Sequence, residues 1–280
     1  MANGRAISLF LIDGVPDGRI ACELFNWTGK GFKIPRRLLK ESADRPELRK
    51  AGVYFLFGRD DTRNEANSVY VGEAEEVIKR IPQHQEKDFW TEVLLFVGKD
   101  DNLNKAHIKF LEYTIYTKIN EVGRYELRNS NTPNKPAISE MEQAVMTEFF
   151  ENLQLLVGSL GYKLFEPLVS PTTASDEEYR IAAARGANAK AVLTSDGMVV
   201  LKNSVATSTV VPSTPDSVAK LRQLLLDDGV LVSQDGNYVF TKDYLFSSPS
   251  AAAGVVLGRS ANGWVEWKDP SGHTLKENEE

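Results

Sequence analysis

The sequence predicts an α+β protein, and three observations carry that prediction. Short apolar runs rich in β-branched and aromatic residues are bracketed by Gly, Pro, Asp and Asn. Two longer segments repeat their apolar residues at helical spacing, and a Ser/Thr/Pro-rich stretch separates them from a compositionally different tail. With 280 residues and 42% hydrophobic content, the chain is long enough to bury a substantial core in one or two domains. The divisions read as an N-terminal hairpin extension over 1–50, a central block over 51–167, a linker over 168–188 and a small α+β module over 189–280.

The first fifty residues open with Ala6-Ile7-Ser8-Leu9-Phe10-Leu11-Ile12. The turn Asp13-Gly14-Val15-Pro16-Asp17-Gly18 leads into Arg19-Ile20-Ala21-Cys22-Glu23-Leu24-Phe25, which makes a β-hairpin. Pro35 before Arg36, Arg37 and Lys40 looks like a helix start with proline in the first turn. Those three basic residues are either a solvated face or a phosphate-contacting surface.

The central block reads hairpin, helix, strand, helix. Gly52-Val53-Tyr54-Phe55-Leu56-Phe57 and Ser68-Val69-Tyr70-Val71-Gly72-Glu73 are two strands around a polar loop. A helical segment follows with Arg80 and, four positions on, His84. The near-continuous apolar run Glu92 to Gly98 is a buried strand. Over 104–121, Ala106, Phe110, Leu111, Ile115 and Ile119 mark one buried helix face, with Glu112 beside it. After an Asn/Pro-rich loop from Arg128 to Pro136, a last helix begins at Ser139 and is amphipathic through Val145, Phe149, Leu153 and Leu156.

In the tail, Ala189 to Leu201 is a hairpin with an Asp-Gly turn, and Asp216 to Asp228 is an amphipathic helix behind Pro215. Ser247 to Gly254 is a serine-capped start of a small-residue helix. Gly263-Trp264-Val265-Glu266-Trp267-Lys268 is expected as a strand with both tryptophans on one face.

Net charge is −6, but it is unevenly spread: residues 1–50 carry ten Lys/Arg against six Asp/Glu, whereas 51–167 carry thirteen against nineteen. Phosphate binding needs only a local basic surface, which the N-terminal segment supplies. The lone Cys22 has no internal disulfide partner and reads as a buried apolar thiol. A signal-peptide core and a membrane-length apolar stretch are both absent from the sequence, so a soluble, cytoplasmic protein is expected.

Gly52-Val53-Tyr54, Tyr70-Val71-Gly72, Arg80, His84 and Glu112, in this order and spacing, resemble the GIY-YIG nuclease superfamily of excision-repair subunits, homing endonucleases and some restriction enzymes. The resemblance covers roughly 51–135. It implies a small three-stranded, mostly antiparallel sheet with flanking helices, and a DNA endonuclease that uses Mg²⁺ or Mn²⁺. Glu112 would hold the cation largely through waters, Arg80 would clamp the scissile phosphate, Tyr54 and Tyr70 would position or deprotonate the attacking water, and His84 would relay protons. The family also uses an asparagine after the acid; Asn129, Asn131 and Asn134 compete for it, with Asn131 favoured. The tail from Asp216 to Leu275 looks like a bacterial module of unknown function found after such domains, a possible site for a protein partner.

Pro82 departs from the family pattern, because proline inside a helix removes a backbone bond and clashes with the carbonyl four residues back. Either the helix kinks, or it ends near Arg80 and His84 comes from a loop. The same fold could also serve without cleavage, as a nucleic-acid-binding or adaptor protein, and RNA is not excluded as substrate. His107, five residues before Glu112, is rotated well away from it on a helix and reads as structural. Trp264 and Trp267 could stack on bases, although burial is the simpler reading.

Overall fold

The computed structural model describes residues 4–60, 66–169, 178–183 and 185–279. It is mixed α+β, with two sheets and several helices, and divides into two compact units, Met1–Glu166 and Pro167–Glu280.

The first unit contains strands β1 (Ile7–Leu11), β2 (Ile20–Leu24), β3 (Gly29–Pro35), β4 (Gly52–Asp60) and β5 (Ala66–Ala74), then the short helix α1 (Val77–Arg80). Strand β6 (Trp90–Gly98), helix α2 (Lys105–Val122), strand β7 (Glu126–Leu127) and helix α3 (Glu140–Ser159) follow. The strands form one sheet in the order β1-β2-β3-β6-β4-β5-β7. Strands β6, β4 and β5 are antiparallel neighbours in the middle of a seven-stranded sheet, where a three-stranded sheet was expected. The first fifty residues are therefore not an extension: β3 pairs with β6 along its whole length, from Gly29 opposite Gly98 to Pro35 opposite Glu92. The near-continuous apolar composition of β6 fits this, since the strand is flanked on both edges and covered on both faces.

Each face of the sheet has its own core. Val53, Phe55, Val71, Leu94 and Phe96 point to α2 and α3, which contribute Leu111, Ile115, Phe149 and Leu153. Tyr54, Leu56, Phe32 and Leu95 point to the other side, closed by Leu39, Leu48, Val77 and Ile81. The residues after Pro35 make short 3-10 turns rather than a helix, with Pro35 itself the last residue of β3. Helix α3 begins with a Ser139–Glu142 capping box. Its inward face uses Met146 where Val145 was expected; Val145 is exposed, because the contact surface lies one position around the helix. Helix α2 is capped by Asn104 and His107, and the His107 ring also meets Glu142 at 3.2 Å, so this histidine is structural.

The second unit contains β8 (Glu178–Ala182), β9 (Asn188–Thr194), β10 (Gly197–Val200), β11 (Val205–Ala206), α4 (Asp216–Asp227), β12 (Leu231–Gln234), β13 (Asn237–Phe240) and β14 (Tyr244–Phe246), then α5 (Pro249–Leu257), α6 (Gly263–Glu266) and α7 (Leu275–Glu279). Of the expected linker over 168–188, residues 170–177 and 184 lie outside the described residues. Its later part is structured, since β8 pairs antiparallel with β9. Helix α5 is buried on nearly every side, which its largely small and apolar sequence permits, and Ser248 caps it by accepting from the Ala251 N–H.

The expected final strand is instead α6. The Asn262 side chain accepts from the Trp264 N–H and starts a helical turn. Gly263 sits against the Pro249 backbone, where a β-carbon would have no room. Trp267 is fully buried and donates its indole N–H to the Pro249 carbonyl at 3.0 Å, so it is not a platform for bases. Among the described residues, no helix is long and apolar enough to cross a membrane.

Candidate active site

The hairpin β4–β5 sets the site. Tyr54 lies opposite Gly72 and Tyr70 opposite Leu56, so side-chain alternation puts both tyrosines on the same face. Gly72 is required there, because a β-carbon at this position would overlap the Tyr54 ring. The rings of Tyr54 and Tyr70 lie 6.2 Å apart.

Pro82 decides how His84 reaches them. The α-helix ends at Arg80, and Ile81–His84 continue as a 3-10 turn with proline in its first positions, where no backbone donor is needed. This tighter turn aims His84 inward: Nε2 lies 2.9 Å from the Tyr54 Oη, and the imidazole is 4.6 Å from the Tyr70 ring. Trp90 locks the turn by donating its indole N–H to the His84 carbonyl at 3.0 Å. Arg36 holds the following loop. Its guanidinium donates to the carbonyls of Gln85, Lys87 and Trp90 and stacks over the Trp90 ring at 4.3 Å. Arg36 is thus a brace for this loop, while exposed Arg37 pairs with Asp17.

Burial governs the electrostatics. Tyr54 is 0% exposed and Tyr70 is half-buried. Burial, together with its tyrosine neighbour, raises the pKa of Tyr54; burial and the Glu112 charge raise that of Tyr70. The Arg80 guanidinium acts against both shifts. Burial, with Lys87 and Arg80 nearby, lowers His84 to about 4, so the imidazole is neutral at physiological pH. Glu112, half-buried on α2, is pushed up to about 7 by burial first and then by the Glu73 charge, with Lys105, Lys109 and Arg80 opposing.

Glu73 was not singled out from the sequence. It follows Gly72 directly, and alternation turns it toward α2, where Lys105 Nζ meets it at 2.8 Å. Its position immediately after the second tripeptide was the available clue. Among the described residues, no group of three or more His, Cys, Asp or Glu side chains could hold a metal. Two neighbouring carboxylates, Glu112 and Glu73, with a cationic rim, suit a hard divalent ion that keeps several waters.

Tyr54, Tyr70 and His84 are therefore in ring contact, and Arg80 and Glu112 lie close enough for their charges to act on both phenols. Asn131 is not brought in: it is exposed in the loop after β7. Asn129 occupies the ordered position instead. Its side chain accepts from the Val71 N–H at 3.0 Å and donates to the Val71 carbonyl at 2.8 Å, beside Tyr70. Lys87, also unforeseen, places Nζ 4.6 Å from the centre of the Tyr70 ring. Cys22 is buried with its thiol pushed up to about 12, as fits an inert core residue.

Comparison with known proteins finds one family model that matches residues within the second unit. Residues 179–279 match the model of a family described as a domain of unknown function, DUF4357. The match begins within β8, so that strand belongs with the module rather than with a linker. The comparisons with curated proteins and with solved structures give no match.

Proposed function

We propose that the first unit is a metal-dependent endonuclease of the GIY-YIG type that hydrolyses phosphodiester bonds in DNA. The observation that carries this reading is the convergence of Tyr54, Tyr70 and a neutral His84 in one contact group, with the Tyr54 Oη at 2.9 Å from His84 Nε2. A structural tyrosine pair needs no uncharged imidazole aimed at a phenol; a proton-transfer site does.

In this reading Arg80 holds the scissile phosphate through its planar donors. Tyr70, the more accessible phenol, orients the attacking water. Tyr54 exchanges a proton with His84, which accepts at neutral pH because it is uncharged there. Glu112, with Glu73 beside it, would hold Mg²⁺ or Mn²⁺ through retained waters, and what this supplies is compensation of charge at the phosphate and acidification of a water. The second unit brings no chemistry to the proposal and would serve to position nucleic acid or a protein partner.

One observation favours the opposing reading, a DNA-binding or adaptor protein without cleavage: Tyr54 is fully buried and its oxygen is already committed to His84. Plasmid nicking separates the two. Relaxation of supercoiled DNA by the wild type with Mg²⁺ or Mn²⁺, lost in Glu112→Ala with unchanged circular dichroism, supports the nuclease. A gel shift without nicking under every metal, or equal nicking by both proteins, removes it.

A further inference from the structure

Lys87 lies on the candidate active site but has no part in the chemistry derived for it. Both of its backbone groups are tied down: the N–H donates to the His84 carbonyl at 3.1 Å, and the carbonyl accepts from Arg36 Nη1 at 2.9 Å. The Arg36 guanidinium is itself fixed by the carbonyls of Gln85 and Trp90 and by the Trp90 ring. The Lys87 side chain therefore starts from a rigid point. Half-buried, it sets Nζ 4.6 Å from the centre of the Tyr70 ring.

Several lysines of this unit are neutralised by carboxylates, Lys33 by Glu92, Lys50 by Asp101 and Lys105 by Glu73 among them. Among the described residues Lys87 forms no ion pair, and neither does Arg80, whose guanidinium bonds the Gln83 side-chain oxygen. Both charges nevertheless act on one imidazole, that of His84. A cation over an aromatic face contributes about 0.5–1 kcal/mol at an exposed site, which by itself calls for neither a pinned loop nor two like charges around one ring. An anion that meets both cations removes their repulsion. The two stand in different places: the Arg80 charge acts on the phenols of both tyrosines, whereas the Lys87 ammonium lies over the face of one ring, with donors left over for a ligand.

We propose that Lys87 is a substrate-binding residue of this site and holds the phosphate next in line to the one at Arg80, so that the site takes a strand with consecutive phosphates rather than an isolated phosphodiester. The inference rests on reading the site as one for phosphodiesters. Arg80 meets the phosphate at the hydroxyl ends of the tyrosines, and the ammonium over the ring face meets the strand one step along. A lysine serves here as a point charge, and the contact carries no base information. Each phosphate that a protein cation neutralises releases counterions, and on duplex DNA this steepens the fall of affinity with salt by about 0.9 in the logarithmic slope.

The test reads binding by the full chain in EDTA, where nothing is cut, from the fluorescence anisotropy of a short labelled DNA duplex over a series of salt concentrations. Lys87→Ala keeps both backbone bonds of the loop, so its circular dichroism spectrum should be unchanged. It is expected to weaken binding several-fold at low salt and to make the slope of log K against log salt shallower by about 0.9. Lys87→Arg, which keeps the charge, is expected to restore the slope. Lys118→Ala removes the same charge from a lysine paired with Glu121 and should keep the wild-type slope. A wild type that does not bind, an unchanged slope in Lys87→Ala, or an equal drop in Lys118→Ala overturns the proposal. Plasmid nicking is read separately: a slope change in a protein that never nicks removes the nuclease and leaves the Lys87 contact, whereas nicking with an unchanged slope removes the contact alone.

Discussion

Tyr54 and His84, thirty residues apart in sequence, are joined by a 2.9 Å contact between Oη and Nε2 inside the core on one face of the sheet. Both groups are neutral at pH 7: burial raises the phenol and lowers the imidazole. The bond therefore joins two uncharged partners, and its direction follows from the tautomer. With the proton on Nδ1, Tyr54 donates to His84.

If that bond moves a proton, His84→Ala and Tyr54→Phe should each reduce metal-dependent nicking by about 10²- to 10⁴-fold, the range for removing a general acid or base. The double variant should lose little more than either single one, because the two groups act as a unit. Single-turnover nicking rates check this, and simple additivity of the two losses would contradict a shared step.

Glu112 predicts a pH dependence. A carboxyl held at about 7 is half protonated at neutrality and must lose its proton to bind a cation. Mn²⁺ affinity should rise from pH 6 to pH 8 and then level off, while Glu112→Gln should show weak binding without that rise. Isothermal titration calorimetry at several pH values reads this directly.

Stability should respond to the same groups with opposite signs. Glu112 has its folded pKa raised, so its contribution is full below 4.5 and is lost as pH rises through about 7. His84 has its folded pKa lowered from 6.5 to about 4, so the unfolded chain takes up a proton first and stability falls as pH drops through that window. Wild-type stability should thus vary little between pH 4.5 and 6.5. In Glu112→Gln only the His84 effect remains, and the melting temperature should fall on acidification over the same range.

Gly72→Ala should destabilise the fold by about 1–3 kcal/mol, the usual cost of overpacking, because the added methyl meets the Tyr54 ring. Urea denaturation measures it, and a neutral result would mean that the ring can move aside.

Asn129→Ala leaves both backbone groups of Val71 without their side-chain partner and should cost about 1–3 kcal/mol. Asn131→Ala, at an exposed position, should stay within about 0.5 kcal/mol of the wild type. The reverse ranking in thermal melts would restore Asn131 as the ordered asparagine.

The elements whose signals are local were legible in the amino-acid sequence. The Asp-Gly turns, the Ser139–Glu142 box, the Ser248 cap and the apolar spacing of α2 act within a few residues of themselves. Pro82 likewise restricted His84 to a kink or a helix end, and it is the helix end that occurs. A short run such as Gly263 to Lys268 fits a strand or a helical turn equally well, and only the Asn262 cap and the packing on Pro249 made it helical.

What the tertiary structure alone decided is who meets whom. The sequence by itself marked Glu92 to Gly98 as a strand; the strand over Gly29–Pro35 was not read from it, and the pairing of the two, which merges the first fifty residues into the central sheet, depends on long-range backbone bonds that carry no local mark. The same holds for the site. Tyr54, Tyr70, Arg80, His84 and Glu112 could be named through the family resemblance that their order carries, but the neighbour that raises Glu112, the brace supplied by Arg36 and the choice of Asn129 over Asn131 follow from burial and from contacts between distant segments. Burial sets the charge state of each group, and burial is a property of the folded chain.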